Sequence, residues 1–163
     1  MGYNYGARAY GRMKLVLVQA IVLGIAITTP LWATVVLAPD LYAHLFGLPE
    51  IYMKETAWAL VLYLMFIPIL PIQTIGSNYF DATGQAAKAT VLTLTRQILF
   101  LVPLLFALPE VLPHILPQFT GLDALYFATP MADFLSIFVT VIFIIVEMKR
   151  LRKLERGEIT AKF

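Results

Sequence analysis

Four long apolar runs, separated by short polar stretches, organise the chain from Leu15 onward. They cover Leu15 to Leu37, Thr56 to Ile75, Ala89 to Leu108 and Leu122 to Val146. Each holds about 20 residues or more, and at about 1.5 Å rise per residue that crosses a hydrocarbon core of about 30 Å. The runs are continuously apolar and do not alternate, which predicts transmembrane α-helices and not the strands of a barrel. The third run carries Arg96, Gln97 and Pro103, so its ends are the least sharply marked. Prolines fall inside every run: Pro30, Pro68 with Pro71, Pro103 and Pro130. Each lacks a backbone donor and frees a carbonyl one turn earlier, so a kink or break is expected at each position.

Composition supports the same class. Of 163 residues, 60% are hydrophobic and 13% charged, with a mean hydropathy of +0.81. Soluble domains carry about 25% charged residues, and a water-soluble fold has no way to hide this much apolar surface. The first run is too long for a signal-peptide core and no small-residue cleavage site follows it. The expected protein is therefore an all-α integral membrane protein of four transmembrane helices. Its expected parts are a linker over residues 1–14, a four-helix region over 15–148 and a basic tail over 149–163. There is no cysteine, which excludes disulfides, thiol nucleophiles and cysteine-ligated metals.

Charge orients the helices. Arg8, Arg12 and Lys14 precede the first run, Lys88 and Arg96 lie at the second-to-third connection, and Lys149, Arg150, Arg152, Lys153, Arg156 and Lys162 follow the fourth. Only Lys54 lies on the other side. This asymmetry predicts a multi-pass protein of the inner or plasma membrane with both termini in the cytoplasm. The stretches "APDLYAHLFGLPEIYMKE" and "LPEVLPHILPQFTGLD" then form outer loops. The basic tail meets anionic membrane lipid, and a nucleic-acid partner is not expected.

The opening "GYNYGARAYGRMK" matches neither nucleotide-binding glycine pattern, and no cofactor is expected. It reads as a turn at Gly2 and Gly6, with Tyr3, Tyr5 and Tyr10 at the headgroup level.

Two charged residues fall at membrane depth. Asp133 lies about ten residues into its helix, about 15 Å deep, and Arg96 about eight residues into its own, about 12 Å deep. A carboxylate at such depth must face a cavity, pair with a cation or be protonated. Arg96 either snorkels to the headgroups or pairs with Asp133. A pair would keep the acid ionised and argue against a coupling role. The polar backbone expected at a break beside Pro130 favours a cavity-facing Asp133 instead. Gln19, Thr28, Thr29, Gln73, Thr93 and Gln97 either line a cavity or bond between helices. Tyr63, Phe66, Tyr126 and Phe134 are the candidates for stacking on a drug or holding a cation over a ring. Neither His44 nor His114 has a partner at metal-ligand spacing, so no metal site is expected.

The segments "GYNYGARAYGRMK", "SNYFDATGQAAKA", "TLTRQILFLVPLLFALP" and "GLDALYFATPMADFLS", in that order, resemble the C-terminal part of a multidrug and toxic compound extrusion (MATE) transporter. The resemblance covers nearly the whole chain before the basic tail. It implies that the four runs correspond to helices nine to twelve of a twelve-helix fold built from two six-helix lobes. It also implies secondary active efflux, in which Na+ or H+ moving inward drives out amphipathic, often cationic drugs. On that reading the chain is incomplete alone and needs the missing N-terminal lobe or self-association. A non-transporting membrane fragment or assembly module is the alternative. A four-helix small multidrug pump is disfavoured, because such pumps carry an essential glutamate in the first span and Leu15 to Leu37 contains no acid.

Overall fold

The structure, a computed structural model, describes residues 1–47 and 49–158. Lys162 of the basic tail lies outside the described residues. Among these residues the chain is almost entirely helical, with short turns between helices, and makes no strand. In order the helices are α1 (Gly2–Gly6), α2 (Tyr10–Leu37), α3 (Pro39–Leu45), α4 (Glu50–Tyr63), α5 (Leu70–Ala82), α6 (Ala86–Leu94), α7 (Val102–Ile115) and α8 (Gly121–Glu155). A 3-10 turn, Ile67–Ile69, joins α4 to α5, and a π-helical segment, Thr95–Leu101, joins α6 to α7. The four resulting columns, Tyr10–Leu37, Glu50–Ala82, Ala86–Ile115 and Gly121–Glu155, are each long and apolar enough to cross a membrane. The protein is an all-α, multi-pass membrane protein.

The helices overrun the apolar runs at both ends. Tyr10 to Lys14 and Glu147 to Glu155 continue α2 and α8 although they are polar. The stretches expected as outer loops are largely helical: α3 and the start of α4 occupy the first, and α7 runs through Pro109 and Pro113 to Ile115 in the second. Backbone donors near the membrane must be paired somewhere, and continuing the helix pairs them.

The prolines differ in effect. Only Pro68 and Pro71 accompany a break: α4 stops at Tyr63, and Pro71 opens α5 where its missing donor costs nothing. Pro103 likewise sits in the first turn of α7, directly after the π segment. Pro30 and Pro130 lie inside continuous helices, so the break expected beside Asp133 is not present.

The spine of the bundle is α8, which packs on α2, α4, α5, α7 and the π segment. At its crossing with α5, a Cβ on Gly76 would stand 2.6 Å from Thr140 Cγ2, so the absent side chain sets the approach of the two helices. One end of the bundle, the terminal end, gathers α1, the start of α2, the α5–α6 connection and the end of α8. The main hydrophobic cluster is concentrated there, including Tyr5, Tyr10, Met13, Tyr79, Phe80 and Leu151. Tyr5 and Tyr10 are buried in it, with their rings edge to face at 6.2 Å, and Gly2–Gly6 is a helix. The expected turn with all three tyrosines at the headgroup level is thus corrected, and only Tyr3 remains exposed. Leu15, Val22, Leu31, Ile98, Phe106 and Ile142 face outward, as suits side chains solvated by lipid.

Candidate functional site

Two polar centres and one cleft lie along α8. Midway along it, Asp133 is buried and receives a hydrogen bond at Oδ1 from Nε of Arg96. Of the arrangements left open by the sequence, the structure contains the pair: Arg96 meets Asp133 across the third and fourth columns. The π segment that holds Arg96 carries i→i+5 bonding, which widens the helix locally. Burying both charges costs several kcal/mol each, and mutual pairing offsets much of that. Beside the pair, Phe134 stacks on Phe66 at 4.9 Å, fastening α8 to the broken second column.

Nearer the terminal end lies a cluster that sequence reasoning passed over. Glu147, whose side chain is 1% exposed, is held by Lys88 Nζ at 3.1 Å and Arg150 Nη1 at 3.0 Å. Gln85 Nε2 donates to the same carboxylate at 3.0 Å, while Gln85 Oε1 accepts from Lys88 and Arg150. Arg150 Nη2 donates to the Tyr5 hydroxyl at 3.3 Å. Lys88 and Arg150 entered the sequence analysis only as topology markers. The signal available was an acid at the edge of an apolar run, three residues before an arginine.

The cleft opens at the other, loop end, between α4 and α8. Its volume is about 850 Å³, and Tyr52, Glu55, Trp58, Tyr63, Asp123 and Tyr126 contribute to its wall. Lys54 also borders it. Asp123 closes a capping box with Thr120 at the start of α8 and accepts from Trp58 Nε1 at 3.0 Å. Its charge is therefore engaged by neighbouring donors. Glu55 makes no ion pair among the described residues.

The structure brings only some of the candidate residues together. Tyr63 and Tyr126 line the cleft, whereas Phe66 and Phe134 are spent on each other. Gln73 is buried in α5, and Gln97 is exposed on the π segment. Thr93 bonds back to the Ala89 carbonyl at 3.1 Å and meets Ser77 Oγ at 3.4 Å, an interhelical contact between α6 and α5. Thr28 likewise donates within its own helix to the Gly24 carbonyl at 3.0 Å.

The MatE family profile matches residues 1–107, which covers α1 to α6, the π segment and the start of α7. The chain belongs to the MatE family. It is therefore a member of a family of membrane transporters, the one its sequence resembles. The match ends before α8, so Asp133 and Glu147 lie outside it, while Arg96 and Lys88 lie within it. No curated protein and no solved structure matches the chain.

Proposed function

We propose that this MatE-family chain serves cation-driven export of amphipathic, positively charged compounds, with both termini in the cytoplasm. The α4–α8 cleft is the observation that carries this reading. Tyr52, Trp58, Tyr63 and Tyr126 offer ring faces, which attract a cation through their quadrupoles, and Glu55 adds a carboxylate that makes no ion pair among the described residues. A cleft of about 850 Å³ accommodates a drug-sized molecule. The excess of basic residues at the terminal end supports its cytoplasmic placement, so the cleft opens towards the outside.

Asp133 takes a structural part in this account. Its ion pair with Arg96 ties the π segment of the third column to α8, which suits a clasp between columns. Alternating access requires one helical body to move against another, so the four columns work against a second body: a lobe of the kind the resemblance implies, or a second copy of the chain.

The test uses the purified chain in lipid nanodiscs, with Trp32→Phe leaving Trp58 as the reporter. Tetraphenylphosphonium should quench Trp58 saturably, and Glu55→Gln should weaken its binding about tenfold, as for a lost charge contact in a partly desolvated site. Quenching that does not saturate, or that ignores Glu55→Gln, overturns the cleft as the binding site. Drug resistance conferred by this chain as a lone monomer would overturn the requirement for a second body.

A further inference from the structure

We infer that Glu147 holds α1 as a strap across the terminal end of the bundle, and that breaking its ion pairs frees α1 to lift. A helix of five residues has no stability of its own, so α1 is ordered by what it docks against. Its docking is close. A Cβ on Gly2 would stand 2.5 Å from the Ala82 carbonyl, so only a glycine lets the strap lie flat on the end of α5. Tyr5 enters the hydrophobic cluster, and its hydroxyl meets Arg150, which in turn holds Glu147.

The Glu147 carboxylate therefore joins the α5–α6 connection, α6 and α8 directly, and α1 through Arg150. An apolar side chain in the same space would serve stability as well or better, because a buried ion pair must overcome the desolvation of both charges. A charge cluster differs in being directional and cooperative: withdrawing the carboxylate leaves Lys88 and Arg150 repelling each other, and Arg150 loses its hold on Tyr5.

The link between α1 and α2 is suited to a hinge. Arg8 adopts a left-handed backbone with φ +55, a conformation that is strained for a non-glycine residue. Docking of α1 maintains that strain, and lifting relieves it. The strap goes beyond the proposed transport reading and stands on its own geometry. On the proposed orientation, it closes the cytoplasmic face while the α4–α8 cleft is open on the other.

Distance measurement between spin labels decides the matter, with the full chain in nanodiscs and its lack of native cysteine an advantage. One pair is placed at Gly6, where a Cβ meets nothing within 4 Å, and at exposed Lys149. A control pair sits at exposed Asn78 on α5 and Lys149 on α8, neither of them part of the strap. The parent should give a narrow 6–149 distribution. Glu147→Gln should raise the longer-distance population about tenfold, and Tyr5→Phe, which removes only a hydroxyl, about threefold. Exchanging the charges with Lys88→Glu and Glu147→Lys should bring it back towards the parent, a rescue that a merely space-filling role for Glu147 does not predict. An unchanged 6–149 distribution in Glu147→Gln, or broadening of both pairs together, overturns the strap. If Glu147→Gln does not fold, Tyr5→Phe decides by the same readout. None of these outcomes depends on whether tetraphenylphosphonium binds.

Discussion

Arg96 and Asp133, 37 positions apart in sequence, form one ion pair in which the arginine Nε donates to the aspartate Oδ1. The bond ties the π segment of the third column to the middle of α8. The two charges that looked most costly at membrane depth thus neutralise each other, and the helices that carry them become a clasped pair.

Removing one partner of that pair should be worse than removing both. Asp133→Asn or Arg96→Gln alone leaves a buried or half-buried charge unpaired, a change that typically costs about 3–5 kcal/mol. The double variant should cost less than the sum of the two. Thermal unfolding in detergent measures all three, and additive losses would show that the contact contributes no coupling energy.

The crossing of α5 and α8 should not tolerate a larger residue at Gly76. Gly76→Val drives its side chain into Thr140 and Ile144, and overpacking of this kind costs about 1–3 kcal/mol. A fall in the detergent melting temperature is expected, and Thr140→Ala should recover part of it by clearing the nearest methyl. Absence of any loss would mean that the helices separate there without penalty.

Stacking of Phe66 on Phe134 should matter because it fastens the break between α4 and α5 to α8. Phe134→Leu keeps an apolar side chain but loses the ring contact, worth about 0.5–1.5 kcal/mol beyond buried area. It also removes the edge contact to Phe138. The expected result is a lower melting temperature, with a smaller loss when Phe66 is already leucine. Equal losses in both backgrounds would rule out coupling between the two rings.

Topology can be read with a single introduced cysteine. Glu158→Cys should resist a membrane-impermeant thiol reagent added outside intact cells and react when it is added to inside-out vesicles. Position 54, in place of Lys54, should show the reverse pattern. Labelling of position 158 from outside would reverse the proposed orientation.

Columns, membrane class and the family resemblance were legible in the chain because each rests on local information. Leu15 to Leu37 is long and apolar whatever its neighbours do, and only a helix satisfies its backbone in lipid. The same holds for the charge asymmetry, which is a count along the chain. Proline effects were legible only in part. Pro68 and Pro71 accompany a break and Pro130 does not, although each lacks the same donor. The difference lies in position along the helix: Pro71 falls in the first turn of α5, whereas α8 runs on through Pro130, as α2 does through Pro30.

What the sequence by itself determined, then, is how many helices cross the membrane and which residues are out of place in it. It placed Arg96 and Asp133 at similar depths without deciding between pairing, snorkelling and a cavity, since depth along two helices says nothing of the rotation of either. Tertiary structure decided that rotation through the π segment and the packing around α8. The sequence showed Glu147 only as an acid three residues before Arg150: its other partners, Gln85 and Lys88, lie about 60 positions away, and Tyr5 joins them only through Arg150. The cleft between α4 and α8 was likewise undetermined, because Tyr63 and Phe134 are equivalent as aromatic residues in a list and differ only in which neighbour fills the space beside them. Hydrophobic periodicity is a property of one segment, whereas ion pairs, stacked rings and cavities are properties of several segments together, and those are settled by packing.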